Sequence, residues 1–166
     1  MPYPNGSSGL SDTGTGWAQY LDTQYTLASP FVIAQGVSST LPNNSAEVIN
    51  SQIPVGVTSM YGGGKILPDL FGDYYTMTLR FSAKNSNVNG SFDFAIDLGG
   101  AIGQQFQQTL VFSKGANAEQ FFSIVSPGYA GQVFKDNGGT IKINSLVGDT
   151  SIYGISLQIE RTHKAR

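Results

Sequence analysis

Alternation of apolar and polar residues is the strongest pattern in this sequence, and it predicts β-strands. The clearest stretch is GDYYTMTLRFSAK at 72–84, in which every second residue is apolar. SFDFAIDLGG at 91–100 keeps the same period, so its large apolar residues share one face and its aspartates the other. The link NSNVNG at 85–90 is rich in Asn and Gly, which tolerate turn conformations, and we therefore expect these two strands to pair antiparallel.

The same period extends over most of the chain. Further strands are predicted in WAQYLDTQYT, FVIAQ, QQTLVFS, AEQFFSIVS and TIKINS, the last of them after a turn at 136–139. SIYGISLQIER at 151–161 predicts a long final strand that is central in its sheet and is followed by an exposed basic tail. On that strand we expect Ile152 to face outward and these residues to face inward: Tyr153, Ile155, Leu157 and Ile159.

No segment keeps an apolar period of 3.6 residues for three turns, and the best helical candidate is NSAEVINS at 44–51. The chain is therefore predicted to be all-β, as a two-sheet antiparallel sandwich of jelly-roll type, with a lipocalin-like closed barrel as the rival fold. Residues 1–16 are rich in Pro, Gly and Ser and predict a flexible N-terminal arm that becomes ordered when it is bound. Residues 17–166 are predicted to form a single β-sandwich domain with a short C-terminal tail.

Composition narrows the range of functions. Only 12% of the residues are charged, against about 25% in an average soluble domain, so the predicted surface is polar but weakly charged. The net charge is -2 without a cluster of Lys or Arg, which argues against nucleic acid as a partner. Cysteine is absent, which excludes disulfides and thiolate metal sites. We find neither a signal-peptide pattern nor an apolar run long enough for a span, and we expect a soluble protein without a membrane partner.

Candidate catalytic groups are sparse. Asp93 and Asp97 share one face of a predicted strand but are four residues apart, hence about 13 Å, whereas glycosidase carboxylates lie ~5 to 9.5 Å apart. The only histidine, His163, belongs to the predicted tail, and GGGK at 62–65 lacks the remainder of a phosphate-binding loop. We therefore expect no enzyme activity, no catalytic residue, no cofactor and no metal site.

Calcium is the one metal that the sequence leaves open. Two loops are rich in oxygen ligands, one with Asp69 and Asp73 and the other with Asp136 and Asn137. Neither has the residue series of an EF-hand loop.

Aromatic residues on otherwise polar faces are the more informative signal. A second-sheet core, a subunit interface and sugar stacking all remain open as explanations, and we favour an interface because aromatic residues are enriched in interface cores. The predicted interface residues are Tyr3, Trp17, Tyr20, Tyr74 and Phe121.

Four segments carry a resemblance to a known group: GWAQYLDTQYT, GDYYTMTLRFSAK, GANAEQFFS and GDTSIYGISLQIERTHK. Over residues 16–164 the chain resembles the small virion structural proteins of tailed bacteriophages. The resemblance implies a jelly roll, often trimeric, that acts as a capsid decoration (cement) protein or as a fibre and receptor-binding module. No individual site residue follows from it.

Between these roles, the short arm after Met1 and the lack of heptad or triple-helical repeats favour a stand-alone decoration protein if the sequence is a whole gene product, whereas for an excised fragment the fibre role regains weight. We accordingly expect a homotrimer on the capsid surface of the virion that binds the major capsid protein and stabilises the shell. The alternative is a receptor- or glycan-binding module of a phage head or tail fibre.

Overall fold

The computed structural model describes residues 14–165, which form twelve strands and one short helix. The elements in chain order are β1 (Gly16–Leu21), β2 (Phe31–Ile33), β3 (Ser38–Thr40), β4 (Glu47–Ile49), β5 (Tyr61–Gly62), β6 (Lys65–Ile66), β7 (Tyr74–Asn85), β8 (Ser91–Asp97), β9 (Gln104–Val111), β10 (Gln120–Tyr129), α1 (Gln132–Asn137), β11 (Gly139–Val147) and β12 (Thr150–His163). The predicted strands are therefore largely confirmed.

The strands form two antiparallel sheets. The first sheet has the order β10-β7-β12-β1-β4, with β2 also paired to β12. The second sheet has the order β5-β6-β11-β8-β9, with β3 also paired to β11. The predicted two-sheet sandwich of jelly-roll type is confirmed, and the closed barrel is wrong because the strands divide between two separate sheets.

The expected pairing of the two clearest strands is wrong. β7 belongs to the first sheet and β8 to the second, so residues 86–90 cross from one sheet to the other. Buried Asn85 fixes this corner, because its Nδ2 donates to the Val147 carbonyl at 2.9 Å and its Oδ1 accepts from Asn87 N–H at 2.8 Å. The strands instead face each other across the core, where the rings of Phe81 and Phe92 are 5.9 Å apart.

An aromatic cluster fills the core near this corner. The rings of Phe81 and Phe122 are stacked at 5.6 Å, and that of Phe112 lies 5.1 Å from Phe122 and 5.8 Å from Phe92. All four side chains are buried, and they come from both sheets. Such contacts contribute about 0.5–1.5 kcal/mol per pair beyond the burial of apolar area, so this cluster ties the two sheets together.

The sandwich has two ends, which we name after buried residues. At the Asn85 end lie the last residue of β7, the first of β8 and the start of β12. At the Arg161 end, Arg161 pairs in register with Tyr75 on one side and with Gly16 on the other. The loops at 98–103 and at 130–138 also fall at the Arg161 end, because they follow β8 and β10.

Strand β12 is central in the first sheet, between β7 and β1, as predicted. The outward placement of Ile152 is wrong, since this side chain is fully buried. A bulge lies between Tyr153 and Ser156, at Gly154, whose φ is 63°. The extra residue shifts the alternation, so Ile152 and Ile155 both face the core.

The helix lies elsewhere than the sequence suggested. Residues 47–49 of the helical candidate form β4, which pairs with β1 at an edge of the sheet. Helix α1 overlaps the expected turn at 136–139, since it ends at Asn137, and it buries Phe134 alone. With six residues it is too short to show an apolar period. Among residues 14–165, none of the helical structure has the length and apolar character needed to cross a bilayer.

A buried ion pair closes the Arg161 end. Arg161 Nη1 lies 3.3 Å from Asp73 Oδ2, with both side chains fully buried, and 2.8 Å from the half-exposed carboxylate of Asp69. Arg161 Nε donates to the carbonyl of Gly14. Tyr75 donates its hydroxyl to Asp73 at 2.9 Å, and burial raises the pKa of this phenol, which keeps the donor protonated.

The oxygen ligands of the two candidate calcium loops have partners within the protein. A guanidinium, rather than further oxygen ligands, faces Asp69 and Asp73. In the second loop Asp136 accepts from Gln132, and Asn137 donates to the Leu98 carbonyl. No cluster of three or more His, Asp or Glu side chains suited to a metal occurs within residues 14–165.

The ion pair predicts a large loss of stability when either partner is replaced. Asp73→Asn leaves the Arg161 guanidinium buried with weaker compensation, and Arg161→Met leaves the carboxylate unpaired, so each should lower the free energy of unfolding by about 3–5 kcal/mol. Urea unfolding measures the change. The exposed Glu47→Gln is the control and should stay within ~0.5 kcal/mol. Equal, small effects for all three variants would contradict a structural role of the ion pair.

Candidate functional site

An open apolar groove of about 490 Å³ lies at the Arg161 end, between the edge strands β9 and β10. Its floor is formed by Leu98 and Phe134, which are buried. Three exposed aromatic side chains form its walls: Tyr74, Phe106 and Tyr129. The remaining lining residues are Ile102, Gln105, Pro127, Gly131, Gln132 and Val133. We call this feature the aromatic groove.

The aromatic groove has no charged lining residue. Its polar groups are the two tyrosine hydroxyls and the side-chain amides of Gln105 and Gln132. Gln105 Nε2 donates to backbone carbonyls and Gln132 Nε2 donates to Asp136, which leaves both side-chain oxygens without a partner among residues 14–165. The groove can therefore bind neutral ligands by apolar contact and hydrogen bonds, and it offers no side chain suited to proton transfer at pH 7.

Phe106 adopts an unusual backbone conformation in this wall. Its φ is 55°, in the left-handed region, where a bulky residue is uncommon. Residue Phe94 pairs with Gln108 but Ile96 pairs with Gln105, so Phe106 and Gln107 form a bulge opposite a single residue of β8. Such strain costs on the order of 1–3 kcal/mol and is concentrated at functional sites. Here it accompanies the placement of an exposed aromatic ring in the groove wall.

A second apolar feature lies on the outer face of the first sheet. Alternate residues of β10 face solvent, and four of them form what we call the apolar stripe: Phe121, Val125, Pro127 and Tyr129. Phe121 and Val125 are 61% and 59% exposed. The next strands on this face present mainly Thr and Ser side chains, together with Arg80 and Lys84 on β7. The stripe reaches the aromatic groove, because Pro127 and Tyr129 belong to both.

Three of the predicted interface residues lie on this outer face. Trp17 is half-buried on β1, Tyr74 pairs in register with Tyr129, and Phe121 lies towards the opposite end of β10. Only Tyr74 contributes to the aromatic groove. Tyr3 lies outside the described residues. The structure brings these residues to one face but not into a single cluster.

The outward placement of Tyr20 is wrong. Its side chain is 2% exposed and packs against the ring of Tyr61 at 5.4 Å. Its hydroxyl accepts from Met60 N–H at 2.8 Å. Polar neighbours flank Tyr20 in the sequence, but the structure buries this face of β1 and leaves Trp17 and Leu21 half-buried on the other.

The sequence did not identify four residues of the groove: Gln105, Phe106, Tyr129 and Gln132. Gln105 and Phe106 belong to GQQFQQT at 103–109, which lacks strict alternation because of the bulge. The available sequence signal for this part of the groove was Phe106, a single aromatic residue among four glutamines. Tyr129 could not be recognised as a groove residue from the sequence, since only the pairing of β10 with β7 places it beside Tyr74.

The other candidate groups are separated from the groove. Asp93 accepts from the Thr109 hydroxyl at 2.6 Å, and Asp97 accepts from Gly99 N–H at 2.9 Å. His163 is exposed and pairs in register with Tyr74, outside the groove lining. Lys65 lies in the β5–β6 hairpin and donates to the Asn137 carbonyl.

Comparison with known proteins relates the chain to others through its fold. No family model matches the sequence, and the search of curated proteins gives no match. The chain is similar to the PRD1 vertex protein P5 at 15% identity over 89% of this chain and 72% of that chain, with a TM-score of 0.51. It is similar to Eiger TNF from S. frugiperda at 10% identity over 91% of this chain and 95% of that chain, with a TM-score of 0.52. At these identities the likeness shows a shared jelly-roll fold.

The strained conformation of Phe106 predicts an unusual stability response. Asn tolerates the left-handed region, so Phe106→Asn relieves strain while it removes a partly exposed ring. We expect the free energy of unfolding to change by less than ~0.5 kcal/mol or to increase. The matched control is Leu110→Asn on the same strand, which should destabilise by about 1–3 kcal/mol because Leu110 packs against the core. Chemical denaturation measures both, and an equal loss in the two variants would contradict the assignment of strain.

Proposed function

We propose that this chain is a virion structural protein: a capsid decoration (cement) protein that binds the major capsid protein as a homotrimer and stabilises the shell. The observation that carries the proposal is the distribution of exposed apolar groups. Some of them form a stripe and a groove without charged lining, and others, such as Val55 and Val111, are distributed over the rest of the surface. Such surfaces bind partners through contact and do not carry out acid–base chemistry.

The fold agrees with this role. The chain shares its jelly-roll fold with the phage PRD1 vertex protein P5. The likeness supports a virion role and leaves open which partner is bound. We assign no catalytic residue and no cofactor, because the carboxylates described above are engaged in ion pairs, turns or cross-strand hydrogen bonds.

The apolar stripe supports self-association. Exposed Phe and Val side chains on an edge strand are the kind of surface that subunit contacts cover. A closed trimer would present three equivalent contacts to a shell of matching symmetry. Three linked contacts raise a modest individual affinity by ~10²–10⁴. This avidity would allow an adhesive module with few charged groups to remain on the particle.

The proposal predicts a trimer present in many copies on the shell. Native mass should correspond to three chains, and labelled-antibody microscopy of virions should decorate the capsid. Val125→Ser should shift the mass towards the monomer, with ~10-fold weaker association, as expected for loss of an interface contact worth more than 1 kcal/mol.

Val88→Ser is the matched control, because Val88 is also 59% exposed but lies in the corner at 86–90, away from the stripe. It should leave the native mass unchanged. Antibody confined to the tail tip would exclude the decoration role. A native mass of one chain at all concentrations would exclude the trimer.

A glycan-binding role is the second candidate, and the aromatic groove favours it. Tyr74 and Tyr129 provide rings for stacking on sugars, and the oxygens of Gln105 and Gln132 can accept from hydroxyls. If the role is correct, an array of host glycans should show saturable binding that Tyr129→Ala reduces at least ~10-fold without unfolding. Tyr20→Ala is unsuitable as a test because Tyr20 belongs to the core. Absence of binding to every glycan would exclude this role.

A further inference from the structure

A second cavity, with different chemistry, adjoins the aromatic groove at the Arg161 end. It has a volume of about 360 Å³ and is formed by the ends of β6, β8 and β11, the loop that follows β8 and the last residue of α1. We call it the polar pocket, and its main lining residues are Lys65, Asp97, Gly99, Gly100, Asn137 and Thr140.

The floor of the polar pocket is a row of three side chains on the outer face of the second sheet. Thr140 of β11 pairs in register with Lys65 on one side and with Asp97 on the other. Directly opposed residues have Cβ atoms ~5 Å apart, so the Cβ atoms of Lys65 and Asp97 are separated by about 10 Å. None of the ion pairs of the described chain joins these two residues. A cation and an anion are therefore held apart, on either side of a hydroxyl.

The polar groups of the pocket retain unused hydrogen-bonding capacity. Lys65 Nζ has three donors and makes one hydrogen bond, to the Asn137 carbonyl at 3.1 Å. Asp97 accepts from Gly99 N–H through Oδ1, and its Oδ2 has no partner among the described residues. The Thr140 hydroxyl and Asn137 Oδ1 also have no partner there. Donors and acceptors are thus interleaved within one cavity.

This set of groups matches a neutral ligand that carries several hydroxyls. One ammonium and one carboxylate sum to zero, so an anionic ligand would face Asp97 and a cationic ligand would face Lys65. A hydroxyl both donates and accepts, so adjacent hydroxyls of a sugar can accept from Lys65 and donate to Asp97. Hydrogen bonds to ionised groups are the stronger ones, which favours binding of hydroxyls in this pocket.

The polar pocket and the aromatic groove are neighbouring parts of one surface. Leu98 lines both cavities. The loop at 98–103 and helix α1 each contribute residues to both, and Asn137 Nδ2 donates to the Leu98 carbonyl at 3.1 Å, where the loop meets the helix. Gly100 is exposed and borders open space, so the pocket is accessible from the loop side. Because the groove has no charged lining residue, a ligand that occupies both cavities is best neutral throughout.

We propose that the polar pocket binds one residue of a neutral oligosaccharide whose adjoining residue stacks on the tyrosine rings of the aromatic groove. Lys65, Asp97 and Thr140 recognise the hydroxyls, and the groove supplies apolar contact. The inference rests on the glycan-binding candidate and names its ligand class: a neutral glycan with at least two sugar residues. It is independent of the decoration role.

A glycan array probed with the full chain tests the ligand class. The array carries neutral di- to pentasaccharides of glucose, galactose, mannose and N-acetylglucosamine, together with sialylated, sulfated and uronic-acid oligosaccharides. We expect saturable binding to neutral members and at least ~10-fold weaker binding to acidic ones, because Asp97 opposes their charge. Calorimetry with the best neutral trisaccharide and with its single sugar should give at least ~10-fold tighter binding for the trisaccharide, since only the longer ligand reaches both cavities.

Substitutions on the pocket floor test the residues. Asp97→Asn should weaken binding of the best neutral trisaccharide at least ~10-fold and Thr140→Val about 5-fold, as expected for hydrogen bonds to a charged and to a neutral group. Asp97→Asn should also reduce the preference for neutral over acidic glycans, because Lys65 is then unopposed.

Asp93→Asn is the matched control, since Asp93 lies on the same strand and face, four residues from Asp97, and does not line the polar pocket. It should leave both affinity and preference unchanged. Urea unfolding of each variant separates a loss of binding from a loss of fold.

The possible outcomes distinguish this inference from the glycan-binding candidate. Binding that Tyr129→Ala weakens but Asp97→Asn and Thr140→Val leave intact would overturn the role of the polar pocket and retain the groove as a glycan site. Loss only in the pocket variants would overturn the arrangement of two adjoining subsites. A preference for acidic glycans would overturn the neutral ligand class. Absence of binding to every member of the array would exclude both proposals.

Discussion

The buried charge of Arg161 constrains the whole Arg161 end of the molecule. A guanidinium without water requires acceptors, and the chain supplies Asp73 before β7, Asp69 further upstream and the carbonyl of Gly14 before β1. Arg161 itself lies on β12, so one side chain connects the ends of three adjacent strands. The same segment also contacts the aromatic groove, because the Asp73 carbonyl accepts from the N–H of Ala130, between the groove residues Tyr129 and Gly131.

The two ends of the sandwich are stabilised by different interactions. Near the Asn85 end, four phenylalanines from both sheets are in mutual contact and fully enclosed. At the Arg161 end, the buried ion pair lies beside apolar core side chains such as Met77 and Phe134, and aromatic rings remain at the surface. Apolar groups at this end are therefore available for binding without weakening the core.

Most of the fold could be predicted from alternation, since period-two patterns identify strands and their faces. Alternation does not identify the partner of a strand, which is why β7 and β8 were expected to pair although they lie in different sheets. The predicted face of a residue is wrong where a bulge inserts an extra residue, as at Gly154. It is also wrong for Tyr20, which is buried because its hydroxyl finds a hydrogen-bond partner in the core. The groove was predictable only through Tyr74, because its other aromatic walls come together through tertiary pairing.

The surface carries few charged groups, and this determines how it can attract a partner. Long-range steering needs clusters of like charge, and the net charge of -2 is spread over few ionisable groups. Association through the apolar stripe or the aromatic groove would then depend on contact area and shape, and salt would affect it weakly. Because neither feature contains a His, Asp, Glu, Lys or Arg side chain, changes in pH between 5 and 8 would act on binding only through groups outside them. A surface of this kind favours attachment that persists over changes in ionic conditions, which the proposed role on a virion would require.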